Sequence, residues 1–386
     1  MLSEDAKESF ISATALVVIT GHEDGATDPG PSDALYLANW EYGVKPHFIF
    51  LDELRGIAAI SVALLHASQV FGFNLNSHAY LAVDFFLCLS GFVLANAYDQ
   101  KLRSGALRSP AFLLKRMVRL YPMIVVGVGL GVLALQVAYA PGISLADVSI
   151  LAVGALLLLP AGFLLGQEAF AINNPLWSIF FEMVAGMIYG SVARLRIHFW
   201  HEIAALALLA AALFAIVSIE GTIGPVGFGN WRTFFEGFVR AGFSFLAGIL
   251  IFRWQIIQRI PAVRRQIPLF VLIAVLFLPF AVPRDIYDFV CIAVIIPIVV
   301  ALAAAVPQSE EQPFAAYLGQ LSYPLYTVHL PVIQLGSQFQ NVTNSFIPLP
   351  IAVSCTLLAA VAGAHFLHTQ FDRPVRAYLS RKFSLN

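Results

Sequence analysis

Arg55 and His66 stand eleven residues apart in one apolar run. At 3.6 residues per turn that is almost three whole turns, so on a helix both side chains leave the same face, separated by about 16 Å along the axis. Ionisable side chains cost roughly 2.5–3.5 kcal/mol each at the centre of a membrane-spanning helix, so a face that keeps two of them points to chemistry. A guanidinium can hold phosphate bidentately and keeps its charge, while an imidazole, with an ordinary pKa near 6.5, can accept a proton from a hydroxyl. The bland reading of the pair is an arginine reaching the interface and a histidine hydrogen-bonded in a bundle core.

Other polar residues repeat the pattern. Arg116 and Arg119 lie one turn apart ahead of Tyr121 and Pro122. They form either an anion site suited to phosphate groups or the positive span end that orients a chain and meets lipid headgroups. Asp84 and Ser90 fall in the next apolar run, where a carboxylate needs a partner; Arg55, His66 and Glu182 are the candidates. A carboxylate bonded to His66 would fix its tautomer and stabilise the imidazolium as it forms. Glu182 follows Trp177 and Ser178, and Ser178 and Glu182 share a helix face. Ser322, Tyr326 and His329 recur at i, i+4 and i+7, one stripe that should face a bundle interior and could line an acceptor path. His198 with His201 and His365 with His368 have i, i+3 spacing but no nearby acidic or thiolate ligand, and read as interfacial; no metal is expected. Cys88, Cys291 and Cys355 are isolated in apolar segments and read as packing.

The elements that must position these residues are membrane spans. The chain is 59% apolar and 12% charged, with a mean hydropathy of +0.80, which suits an all-α polytopic membrane protein. Windows long enough to cross about 30 Å of hydrocarbon fall near 54–73, 79–97, 117–139, 175–193, 201–220, 236–252, 266–282, 287–306, 318–338 and 346–368. Counting the further run Val148–Leu165 as a span would place Arg253, Arg259, Arg264 and Arg265 outside the cell. Treating it as a re-entrant or interfacial hairpin restores the positive-inside bias and predicts ten spans with both termini cytoplasmic. The hairpin adjoins the polar segment Gln167–Asn174, where a cavity is expected. Residues 1–47 read as an acidic, flexible tail without a signal-peptide pattern, 48–378 as one membrane domain, and 379–386 as a short basic tail. No basic block interleaved with aromatics suggests nucleic acid.

Six blocks, LDELRGIAAISVALLH (51–66), AVDFFLCLSGFVLA (82–95), RMVRLYP (116–122), NNPLWSIFFEMVAGMIYG (173–190), LGQLSYPLYTVHLPV (318–332) and FDRPVR (371–376), together resemble the acyltransferase 3 family of integral membrane proteins. The resemblance covers about residues 48 to 378. It implies transfer of an acyl group, commonly acetyl, from cytoplasmic acyl-CoA to a hydroxyl of a carbohydrate or related acceptor, by a multi-pass protein of a bacterial inner membrane. Under that reading His66 is the base and Arg55, Arg116 and Arg119 hold the CoA phosphates. Glu182 supports catalysis, and Asp84, Ser90, Trp177, Ser178, Ser322, Tyr326 and His329 lie along the substrate path. The alternative is a secondary transporter or permease for a polar or acylated small molecule, which would predict inverted repeats that the sequence does not display.

Overall fold

Apolar runs with few breakers leave helices as the only way to satisfy the backbone in lipid, and all regular structure among the described residues is helical. The computed structural model describes residues 48–75, 77–139, 144–195, 197–278, 282–307, 313–342 and 346–384. The expected acidic tail, 1–47, and the last residues of the basic tail lie outside them. The helices are α1 (Ile49–Phe71), α2 (Ala82–Arg103), α3 (Ser109–Tyr139), α4 (Leu145–Leu156), α5 (Leu176–Val192) and α6 (Phe199–Glu220). They continue as α7 (Trp231–Arg253), α8 (Gln266–Phe277), α9 (Arg284–Ala304), α10 (Pro313–Val342) and α11 (Leu349–Lys382). α9 and α11 each contain one wider π turn, at Cys291–Ile295 and His368–Asp372.

Every expected span coincides with a helix, but seven of the helices are long and apolar enough to cross a membrane. α5 and α8 are short, the latter at 12 residues reaching about 18 Å. α10 has length to spare, but its polar stripe dilutes its hydropathy. The run Val148–Leu165 is not a span. α4 stops at Leu156, Leu158 takes a left-handed φ of 53°, and a 3₁₀ turn at Ala161–Leu165 brings the chain back, with Gly154 packed against Ala161. This is the hairpin that the charge distribution demands.

α1 and α10 pack along each other and ascend together: Arg55 meets Gly319 and Ser322 near one end, and His66 meets His329 further up. α2 and α7 approach more closely still. Gly91 lies on the backbone of Phe245 and Gly248 on that of Cys88, so a methyl group at either position would strike a carbonyl oxygen. α10 carries two prolines, Pro324 and Pro331, inside the helix. Pro331 has no N–H, so the carbonyl of Thr327 loses its intrahelical partner. The Asn173 carboxamide, arriving from the hairpin, donates to that oxygen at 2.8 Å. A helix break prescribed by sequence is thus filled by a side chain from the polar segment ahead of α5.

Candidate active site

The first cavity is built by α1, α2, α3, α5 and α10. It holds about 730 Å³ of atom-free space counted out to its mouth, and its wall includes Arg55, Arg116, Arg119, Glu182, Ser178 and Tyr326. Ser90 and Ser322 also line it, so eight of the residues singled out in the sequence share one void. Three guanidiniums set its character. Arg55 donates from Nε to Ser322 Oγ at 2.8 Å and from Nη2 to the Gly319 carbonyl at 3.1 Å, and lies 3.6 Å from Asp52. Arg116 Nη2 donates to Glu182 Oε1 at 2.5 Å, and the Ser90 hydroxyl donates to the same oxygen at 2.6 Å. The Arg116 side chain is only 5% exposed, so this pair fixes it in the wall. Arg119 makes no hydrogen bond or ion pair among the described residues, leaving its charge open to the void.

The spacing of Ser178 and Glu182 places both in the wall, as does that of Ser322 and Tyr326. The far end is closed by a hydrogen bond of 2.7 Å between the Ser178 and Tyr326 hydroxyls. Ser178 already donates to the Pro175 carbonyl, so the phenol supplies the proton of this contact. The Tyr326 ring lies 5.7 Å from the His329 ring.

Beyond Tyr326, His66 Nδ1 lies 3.1 Å from His329 Nε2. The contacts assign the tautomers. His329 Nδ1 lies 3.1 Å from the Leu325 carbonyl, which only accepts, so Nδ1 carries the proton and Nε2 offers a lone pair. His66 Nδ1 therefore faces two acceptors, His329 Nε2 and the Val62 carbonyl at 3.1 Å, and must carry its own proton. The remaining nitrogen, His66 Nε2, has no partner among the described residues and holds a free lone pair, as a general base requires. His329 is fully buried, while His66 is half-buried.

A second, larger cavity lies past the histidines. It holds about 1680 Å³ of atom-free space to its mouth, and Val70 of α1, Gln334 of α10 and Gln167 of the polar segment are in its wall. On α1 the order is Arg55, His66, Val70; on α10 it is Ser322, Tyr326, His329, Gln334. Two helices independently place the histidine pair between one void and the other.

Several expectations are corrected. His66 does not line the cavity that Arg55 opens, and the Ser178–Tyr326 contact lies between them. Neither Asp84 nor Glu182 touches His66; its partner is His329. Asp84 lines neither of the two cavities. It is fully buried and takes Arg240 Nε at 3.0 Å and Nη2 at 2.7 Å, while Arg240 Nη1 donates to the Ile223 and Val226 carbonyls. Trp177 also lines neither, since its ring lies 5.1 Å under the Arg240 guanidinium and packs on Phe181 and Phe228. Arg240 and Asn173 are the residues the sequence reading passed over. A lone arginine inside the apolar run of α7 was the available signal for the first, and a proline in α10 for the second.

Apolar helices long enough to cross a membrane enclose a cation-lined cavity and, beyond it, a pair of hydrogen-bonded histidines. The family profile described as an acyltransferase domain matches residues 48–368, and the chain belongs to the acyltransferase 3 family. It is a multi-pass membrane acyltransferase. A curated relative from Rhizobium radiobacter, described as protein 2 in the picA locus, is 39% identical over 154 residues, covering 37% of this chain and 80% of the relative. No solved structure matches the chain.

Proposed function

We propose that the protein moves an acyl group, acetyl in the simplest case, from cytoplasmic acyl-CoA to a hydroxyl of a carbohydrate or related acceptor. The supporting observation is the histidine pair set between two cavities, one lined by three arginines and the other free of them. The cytoplasmic assignment of the arginine cavity rests on the positive-inside bias. Arg265 on Glu53, at the mouth of α1, and Arg253 on Asp99, at the corresponding end of α2, gather basic charge where Arg55 opens. That orientation puts both ends of a ten-span bundle in the cytoplasm of a bacterial inner membrane.

In this reading Arg55, Arg116 and Arg119 hold the CoA phosphates, with Glu182 positioning Arg116. The pantetheine arm passes Ser90, Ser178 and Ser322 to bring the thioester to Tyr326. Parting of the Ser178–Tyr326 hydrogen bond admits the carbonyl to the histidines. His66 Nε2 takes the proton of an acceptor hydroxyl entering from the opposite cavity, and the oxygen bonds to the thioester carbon. The carbon–sulfur bond then breaks, and the sulfur recovers the proton from His66, so that free CoA and the ester are the products. His329 keeps His66 in the reactive tautomer.

The test is thioester hydrolysis and acyl transfer from acetyl-CoA by purified protein in lipid nanodiscs. His66→Ala should lower turnover by about 10²–10⁴-fold, the range of general-base catalysis. His329→Gln should lower kcat with little change in the KM for acetyl-CoA. Full turnover by His66→Ala would remove the base from the scheme.

A further inference from the structure

The second cavity has a lining unlike the first. Gln334, Ser337, Gln338 and Asn341 follow one another up α10 at i, i+3, i+4 and i+7, a single stripe, and Gln167 faces them from the polar segment before α5. No lysine or arginine is in this wall. Its one carboxylate, Asp147, is tied to the start of α4, accepting from the Ser144 hydroxyl at 2.7 Å. None of the four carboxamides, nor Ser337, has a side-chain hydrogen bond among the described residues, so their donors and acceptors are available to a ligand.

A carboxamide presents two donors and an acceptor without net charge. A sugar hydroxyl is itself both donor and acceptor, so a row of carboxamides can satisfy several hydroxyls in more than one pose. A phosphate or carboxylate would meet no cation here and would face Asp147. With open solvent excluded the cavity volume is about 820 Å³, within the roughly 300–1,000 Å³ of a small-molecule site.

We propose that the carboxamide stripe Gln334–Gln338–Asn341, with Gln167 opposite, is the acceptor-binding site, and that it takes an uncharged polyhydroxylated acceptor in preference to an anionic one. The proposal rests on the acyl-transfer reading above and adds to it where the acceptor sits and what charge it has. Val70, one turn beyond His66, and Gln334, five residues beyond His329, put this wall within a turn or two of the base.

The experiment feeds isotopically labelled acetate to cells expressing the full chain and follows the alkali-labile ester label that depends on the wild-type protein, fractionated by anion exchange. The label should be recovered in the neutral fraction. It should fall about tenfold or more in the Gln334→Ala/Gln338→Ala variant, through loss of hydrogen bonds to the acceptor, and to a smaller extent in Asn341→Ala at the rim. Size-exclusion profile and acetyl-CoA binding of the purified double variant serve as the folding control. Recovery of the label in the anionic fraction, or its retention by a folded double variant while His66→Ala abolishes it, overturns the carboxamide assignment alone. Retention of the label by His66→Ala, or no label dependent on the wild-type protein, overturns the acyl-transfer reading and this inference with it.

Discussion

Arg116 and Arg119 lie one turn apart and face the same void, yet only one of them should be needed for stability. Arg119 has no partner among the described residues, so Arg119→Gln removes a cation that the fold does not use. One charge-assisted hydrogen bond to a phosphate contributes about 1.5–3 kcal/mol, and 1.4 kcal/mol is a factor of ten, so acyl-CoA should bind about ten- to a hundredfold more weakly. Thermal stability should move by no more than about 0.5 kcal/mol. Arg116 serves the fold as well as the phosphate: besides weakening acyl-CoA binding, Arg116→Met strands Glu182, which would keep only the Ser90 hydroxyl. Breaking a fully buried pair costs about 3–5 kcal/mol; the Glu182 side chain is 24% exposed and retains one donor, so about 2–3 kcal/mol is expected. Adding Glu182→Gln should recover most of it, because a neutral amide no longer needs a cation. Acyl-CoA titration and thermal unfolding, both in detergent, separate the two effects. The reasoning is refuted if Arg119→Gln leaves acyl-CoA affinity intact, or if it destabilises the protein as much as Arg116→Met.

Asp84→Asn should destabilise the protein by about 3–5 kcal/mol, since it leaves the fully buried Arg240 guanidinium without its counter-charge, and the double replacement Asp84→Leu/Arg240→Met should restore much of the loss. Detergent melting curves check this, and an unchanged KM for acyl-CoA in whatever fraction stays folded would place the pair outside the donor site. His78 lies between α1 and α2, with its Nδ1 3.0 Å from the Tyr80 hydroxyl and its ring on Tyr287. Burial, aided by Arg284 and opposed by Asp288, holds its pKa below the ordinary 6.5. Below about pH 6.5 the unfolded chain therefore binds a proton that the folded protein resists, so stability is complete above that pH and is lost as pH falls towards the folded value. Melting at about pH 7.5 and 5.5 should show a larger acid-induced drop for wild type than for His78→Gln; equal drops would reject the assignment.

The parts of the site legible in the sequence are those governed by position along one helix. The Ser322, Tyr326 and His329 stripe, the shared face of Ser178 and Glu182, and the arginines at one span end follow from a 3.6-residue period, and charge bias alone demoted Val148–Leu165 to a hairpin. What the period cannot give is the partner across the bundle. Asp84 needs a partner at its depth, and the sequence offers Arg55, His66 and Glu182, while its actual partner Arg240 lies 156 positions away inside an apolar run. His66 and His329 are separated by 263 positions, and nothing local to either says that they meet. Ten apolar windows are legible in the sequence, and seven of them form helices long and apolar enough to cross a membrane, α5 and α8 being short and α10 diluted by its polar stripe.

The Asn173 contact accounts for a proline at 331 inside α10. A regular helix would satisfy every carbonyl internally and offer the hairpin nothing to bind. Pro331 frees the Thr327 oxygen, Asn173 takes it, and the polar segment from Gln167 is thereby fastened within two residues of His329. Gly127 of α3 makes the approach possible, since a methyl group there would strike both the Thr327 oxygen and the Asn173 amide. The wall that carries Gln167 is therefore anchored to the helix that carries the base's partner, so the second cavity and the histidines are set in one register by the same break in the backbone. Asparagine at 173 serves that geometry through the N–H it donates to the Thr327 oxygen.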